Sequence, residues 1–160
     1  MTRPAAIGME EARARGSAEG VLLGTGVLTL EGEIPVEYLT PGDRVVTRSG
    51  ARALRRIRAT RRAGAVVVRM TPGAIAPGAP DQDVLLGTDQ KLRLADWRAK
   101  AMFGAREVMV EVGRMVDGQL IRHERLAEAR IFTLEFDAEE TIYADGVEIH
   151  CPARQPAEAC

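Results

Sequence analysis

Side chains able to attack a carbonyl, move a proton or hold a metal are scarce in this sequence, and most of them crowd one end of it. Cys151 and Cys160 are the only cysteines, both within the last ten residues, and His150 directly precedes the first of them. His150, Cys151 and Cys160 could share a metal, but three ligands on one short stretch with no counterpart elsewhere fall short of a four-coordinate site. No metal and no cofactor is therefore expected. The two cysteines could pair with each other, though they form no disulfide framework. Ser17 carries a hydroxyl with no base beside it and reads first as an ordinary serine of a polar arm. Thr88-Asp89-Gln90-Lys91 sets a hydroxyl three residues before an amine, a spacing open to a hydroxyl–lysine dyad, but no oxyanion-binding motif accompanies it. His123 reads as a surface residue. Arg52, Arg55, Arg56, Arg58, Arg61 and Arg62 form the one basic run; in a strand one side would be basic, which suits a solvated face or guarded edge, or a site for an anionic partner.

The bulk composition narrows what these residues can be doing. A chain of 160 residues suits one domain, and 46% apolar against 28% charged residues suffices for a packed core. Aromatics make up only 4%, so the core must be mostly aliphatic. A net charge of -1 argues against a protein that neutralises nucleic-acid phosphates. The first nineteen residues hold no apolar core of a secretory signal, and no apolar run approaches the roughly 20 residues that span a bilayer. The expectation is a cytoplasmic protein, or one exported without an N-terminal signal, with no membrane segment. A protein partner is compatible with all of this.

Residues 1–19, rich in Ala, Arg and Glu, read as a flexible N-terminal arm. From Gly20 onward short apolar runs alternate with turn signals, the all-β texture. Strands are expected at 21–30, 43–48, 53–59, 65–71, 84–87, 91–94, 108–112, 119–122, 130–136, 141–144 and 147–150. Thr40-Pro41-Gly42-Asp43 fits a type II turn, while Ser49-Gly50, Asp117-Gly118 and Asp145-Gly146 fit tight hairpins. Pro72, Pro77 and Pro80 make 71–83 a loop. The one convincing helix falls near 95–104, where Trp97, Ala101 and Met102 recur at helical spacing and Gly104 supplies a stop. The absence of helical crossovers excludes a parallel α/β sheet.

The order of several segments adds a family. Gly24-Thr25, the strand after it, the Glu31-Gly32 turn, Pro35-Val36-Glu37, Leu39 and Gly42-Asp43-Arg44-Val45 resemble the opening of a bacterial Hedgehog/intein (Hint) domain. Met70-Thr71-Pro72-Gly73, Asp83-Val84-Leu85-Leu86-Gly87-Thr88-Asp89-Gln90-Lys91 and Met102-Phe103-Gly104 follow in the family's order. Leu134-Glu135-Phe136-Asp137 and Ile142-Tyr143-Ala144-Asp145-Gly146 match its closing hairpin. The resemblance covers about residues 20 to 150. It implies an all-β, Hint-type β-disc of two pseudo-symmetric β-subdomains with one short helix, with residues 1–19 as an arm and 151–160 as a C-terminal tail.

In active members of that family a cysteine opening the first strand attacks its own upstream carbonyl, and a histidine in a Thr/Ser-x-x-His motif protonates the departing amide. Here the cysteine position falls on Gly20 and the histidine position on Lys91, with Thr88 retained. Glycine cannot attack, and an ammonium with an unperturbed pKa near ~10.4 is a poor acid at neutral pH. His150-Cys151 resembles the end of an intein, but the junction asparagine is missing. No catalytic residue is therefore assigned with conviction: Gly20, Thr88 and Lys91 mark the family positions, and Ser17, His150 and Cys151 are the residual candidates. With nineteen residues ahead of Gly20, no passenger domain is expected in this chain. The expected role is a degenerate Hint domain kept as a structural or interaction module. The alternatives are self-cleavage through an unusual nucleophile and a module that binds an anionic partner through the Arg52–Arg62 strand. If the loss is purely chemical, Gly20→Cys with Lys91→His should restore cleavage.

Overall fold

A computed structural model of the chain describes residues 19–95 and 97–154. The strands are β1 (Val21–Leu22), β2 (Gly26–Thr29), β3 (Gly32–Pro35), β4 (Arg44–Thr47), β5 (Gly50–Ala53), β6 (Arg56–Met70), β7 (Val84–Gly87), β8 (Lys91–Leu94), β9 (Val108–Glu111), β10 (Ile121–Glu135), β11 (Glu140–Ala144) and β12 (Val147–Cys151). The described helix, α1, spans Trp97–Phe103. The fold is mostly β, as the alternation of apolar runs and turns requires.

The strands form two sheets. In one, β1, β10, β6 and β7 close on themselves. In the other, the order is β3-β2-β4-β11-β12-β8-β9, with β5 on the outer side of β4. All the strand pairings are antiparallel. The predicted turns at Pro41-Gly42 and Asp145-Gly146 form, whereas at Ser49-Gly50 the two-residue link is Arg48-Ser49, with Gly50 already paired to Thr47, and Asp117-Gly118 joins no hairpin, since β9 pairs with β8 and β10 with β6. Gly42 has φ +99°, as the third residue of a type II turn must, and Asp43 N–H donates to the Thr40 carbonyl at 3.1 Å. Asp145 and Gly146 both take positive φ, 49° and 87°, the backbone of a two-residue hairpin that matches strand twist. Asp145 is buried and does more than turn: its carboxylate accepts Gly26 N–H at 3.2 Å and Gln82 Nε2–H at 2.9 Å, tying the hairpin to β2 and to the proline-rich loop.

Several elements differ from the sequence reading: the expected strand 21–30 is broken into β1 and β2, and β3 and β5 were not expected. The runs 53–59 and 65–71 are not two strands: β6 passes unbroken through Thr60–Gly64, and β10 likewise fuses the expected 119–122 and 130–136. The two lie side by side from Arg56↔Glu135 to Met70↔Ile121. The middle of β6 carries no apolar alternation because its ladder to β10 holds it, while Leu126 and Ala129 in the middle of β10 join a small second cluster with Leu22, Ala65, Val67 and Ile131. The helix buries Ala99 rather than Trp97 and Ala101, which are exposed. His123, expected after a strand, sits inside β10, with both ring nitrogens buried and without a hydrogen bond among the described residues; burial lowers its pKa.

The core is aliphatic with two phenylalanines. Val27, Val36, Val45, Leu54, Val68, Met70, Leu86, Leu92, Ile142 and Phe136 are sealed from solvent in one cluster that spans both sheets. Burying each such side chain is worth about 1.5–3 kcal/mol.

Candidate functional site

The chain enters the domain between the two longest-range partners of β1. Val21 pairs with Phe132 of β10 on one side and Leu86 of β7 on the other. Gly20, one residue earlier, is buried, and its carbonyl accepts Gly87 N–H at 2.9 Å. Its φ of +139° is a conformation that residues with a side chain rarely adopt. A Cβ built there would lie 2.5 Å from the Phe132 carbonyl oxygen and 2.8 Å from Ile131 Cγ2. The first contact is backbone and cannot swing aside. The backbone of β10 thus fills the space in which a cysteine side chain would begin, and the restoration by Gly20→Cys expected above meets a steric obstacle as well as a chemical one.

The carbonyl of Glu19, which a residue at position 20 would have to attack, accepts the Thr133 hydroxyl at 2.8 Å. That donor polarises the carbonyl but supplies no electron pair to its carbon.

The Thr88-x-x-Lys91 stretch lies alongside. Gly87 N–H meets Gly20, and Gln90 N–H returns to the Gly87 carbonyl at 3.1 Å. Thr88 is buried, its carbonyl accepting Gly113 N–H at 3.0 Å. A small cavity of about 10 Å³ is lined by Gly20, Gln90, Thr133, His150 and Cys151 among others. The side chain delivered to it from the motif is Gln90, not Lys91. Gln90 is buried, and its amide donates to the carbonyls of His150 at 2.7 Å and Lys91 at 3.0 Å, bridging β8 and β12. Lys91 opens β8 opposite Glu111 with its side chain exposed. Strand alternation explains the difference, since successive side chains point to opposite faces.

His150 and Cys151 end β12 in neighbouring positions with opposite surroundings. Cys151 is buried and unpaired; burial, with Glu19 and Glu140 nearby, pushes its thiol well above the ordinary range. A thiol held protonated is a poor nucleophile. His150 faces two carboxylates: Nε2 stands 2.9 Å from Glu139 Oε1, and Nδ1 stands 3.6 Å from Glu19 Oε2. The Glu19 carboxylate facing Nδ1 raises its pKa first of all, against the opposing effect of burial, with Glu139 adding to the rise. Beyond His150 lies a polar groove of about 320 Å³ walled by Arg48, Arg93, Glu139 and Glu140.

The arginine run divides between β5, the link after it and β6, and most of it is neutralised locally. Arg52 faces Glu140 at 3.6 Å, Arg55 faces Asp137 at 3.0 Å, Arg58 faces Glu135 at 3.2 Å and Arg61 faces Glu128 at 2.8 Å. Among the described residues no group of three or more His, Cys, Asp or Glu side chains is arranged to hold a metal. Ser17, Cys160 and the rest of the arm before Glu19 lie outside the described residues. The sequence reading missed Glu19, Gln90, Thr133 and Glu139. Period-two alternation could have pointed to Gln90 facing away from Lys91; no sequence signal brings Glu19 and Glu139 to one histidine.

The described residues form a two-sheet, antiparallel β domain whose first strand is threaded between β10 and β7. The Hint domain family profile matches residues 20–151; the chain belongs to the Hint domain family. Among solved structures, the bacterial intein-like domain from Clostridium thermocellum is similar at 14% identity, over 85% of this chain and 99% of that one, with a TM-score of 0.58. The gp41-1 intein is similar at 15% identity over 84% and 99%, with a TM-score of 0.56. The MchDnaB-1 intein is similar at 11% over 82% and 98%, with a TM-score of 0.54. At these identities the likeness speaks for the fold. A search of curated proteins finds no match. No helix of the described residues is long and apolar enough to cross a membrane.

Proposed function

We propose that this chain is a Hint domain that does not cut its own peptide bond and serves as a structural or interaction module. The observation that carries this reading is the space around Gly20: position 20 has no nucleophile, and the Phe132 carbonyl stands 2.5 Å from where its Cβ would be. A recent Cys→Gly loss on an unchanged scaffold would leave a vacant side-chain volume; here backbone occupies it. The exposed Lys91 and the protonated, sealed Cys151 point the same way. The ion pairs along Arg52–Arg61 weigh against an anionic partner, because each guanidinium would first have to leave a carboxylate.

The test is the intact mass of the purified full chain after incubation with thiol and, separately, with hydroxylamine. The expected result is an unchanged mass. A fragment beginning at Gly20 would overturn the reading, and one beginning at Ser17 would assign cleavage to a bond before the described domain.

A further inference from the structure

His150 lies between two carboxylates at the point where the chain enters the domain. It is only 15% exposed, whereas Glu139 is 74% exposed and Glu19 30%. A neutral imidazole has one N–H to give and two carboxylates to serve. With that proton on Nε2, directed at Glu139 at 2.9 Å, Nδ1 turns a lone pair toward the Glu19 carboxylate. Nδ1 is shut off from solvent and has no hydrogen-bond partner, so water does not relieve the opposition. The other tautomer serves Glu19 and leaves Glu139 facing a lone pair. Only the doubly protonated ring satisfies both.

We propose that Glu19, His150 and Glu139 form a proton-operated latch that fastens the entering chain to the β10–β11 loop, closed when His150 is protonated and released when it is neutral. The backbone grip of Thr133 on the Glu19 carbonyl does not titrate, so the proton controls how firmly the Glu19 side chain is held, not where the strand runs. The inference goes beyond the reading of an uncut domain and does not depend on it, since the latch acts on the junction whether or not its peptide bond can be broken.

The other charged groups around the ring are already engaged. From β8, Arg93 pairs with Glu107 at 2.9 Å and with Glu148 at 3.1 Å, and Arg48, beside the β4–β5 turn, joins Glu148 at 3.3 Å. On β11, Glu140 takes the Ser49 hydroxyl at 2.6 Å and faces Arg52. Cys151, next on the strand, is held as the neutral thiol. The arginines of the groove oppose protonation of His150, but they are engaged by Glu107 and the shared Glu148, and among the described residues Glu19 and Glu139 face His150. Because the folded chain raises the pKa of His150 above the ordinary 6.5, the latch's contribution is fully present below that value. It is lost as pH rises through the folded one.

The experiment is an NMR titration of both histidines in the full chain, combined with hydrogen exchange of the segment around Glu19–Val21 at pH 6 and pH 8, corrected for intrinsic exchange. His150 should titrate above His123. Glu19→Gln and Glu139→Gln, which keep shape and remove charge, should each lower the His150 midpoint. Junction protection in the wild type should fall by about threefold or more between the two pH values, and Glu19→Gln should remove most of that dependence. His150 titrating no higher than an unperturbed imidazole, a midpoint indifferent to Glu19→Gln, or wild-type protection that does not change with pH would each overturn the latch.

Discussion

Replacing Gly20 with alanine adds one methyl group and no chemistry, and it tests whether position 20 has room for a side chain. Two costs are expected. The backbone at φ +139° must either hold a side chain in a sparsely populated region or relax out of it, at about 1–3 kcal/mol. The new Cβ must also displace the Phe132 carbonyl, 2.5 Å away, in a strand paired on both sides, and overpacking of that kind costs about 1–3 kcal/mol. Together they predict a loss of about 3 kcal/mol or more, a fall in Tm of about 10 °C for a domain of this size. Gly24→Ala is the control: φ is +92° there, and nothing lies within 4 Å of its Cβ, so only the conformational cost of about 1 kcal/mol applies. Urea unfolding followed by circular dichroism on the two variants separates collision from strain. A Gly20→Ala protein within about 0.5 kcal/mol of wild type would refute the argument, because the carbonyl would then have yielded at no cost. The same collision predicts that Gly20→Cys with Lys91→His is destabilised and shows no thiol-dependent fragment; efficient cleavage after Glu19 in that variant would show that the scaffold had stayed ready.

Further outcomes follow from the same contacts. Gln90→Leu should cost about 1–3 kcal/mol by urea unfolding, since it strands the carbonyls of His150 and Lys91, whereas exposed Lys91→Ala should stay within about 0.5 kcal/mol; the reverse order would restore Lys91 as the important member of the motif. Arg58→Met should cost about 1–3 kcal/mol by the same assay, because Glu135 is buried and the half-exposed Arg58 is its ion-pair partner. Burial raises the Asp145 pKa, with Asp81 nearby adding to it against the hydrogen bonds from Gln82 and Gly26. That carboxylate therefore opposes folding above its folded pKa, and the opposition fades as pH falls through that value toward the unfolded one. Asp145→Asn, which keeps an acceptor for Gly26 and tolerates positive φ, should gain on wild type as pH rises; a constant difference between the two pH–stability curves would count against it. A heparin column at 0.15 M salt should not retain the protein, as the Arg52–Arg61 pairs predict, and retention would revive the anionic-partner reading.

Local chemistry settled what could be read without coordinates. Pro41-Gly42 and Asp145-Gly146 make turns because of the φ angles those residues accept, and alternating short apolar runs make strands because only one side of each is buried. The order of those segments carried the family, and a glycine at position 20 offers no side-chain nucleophile. What lay beyond reach were the relations across distant parts of the chain. The middle of β6 gave no apolar period because it is held by the backbone of β10. Which member of Thr88-Asp89-Gln90-Lys91 faces inward depended on how β8 lies against β12. That Gly20 is closed off and not merely bare depended on the Phe132 carbonyl, more than a hundred residues later. The Glu19–His150–Glu139 cluster likewise exists only because the chain's entry passes beneath its last strand. Side-chain identity decides what chemistry a position can lose, but the path of the backbone decides whether the space for that chemistry is still there.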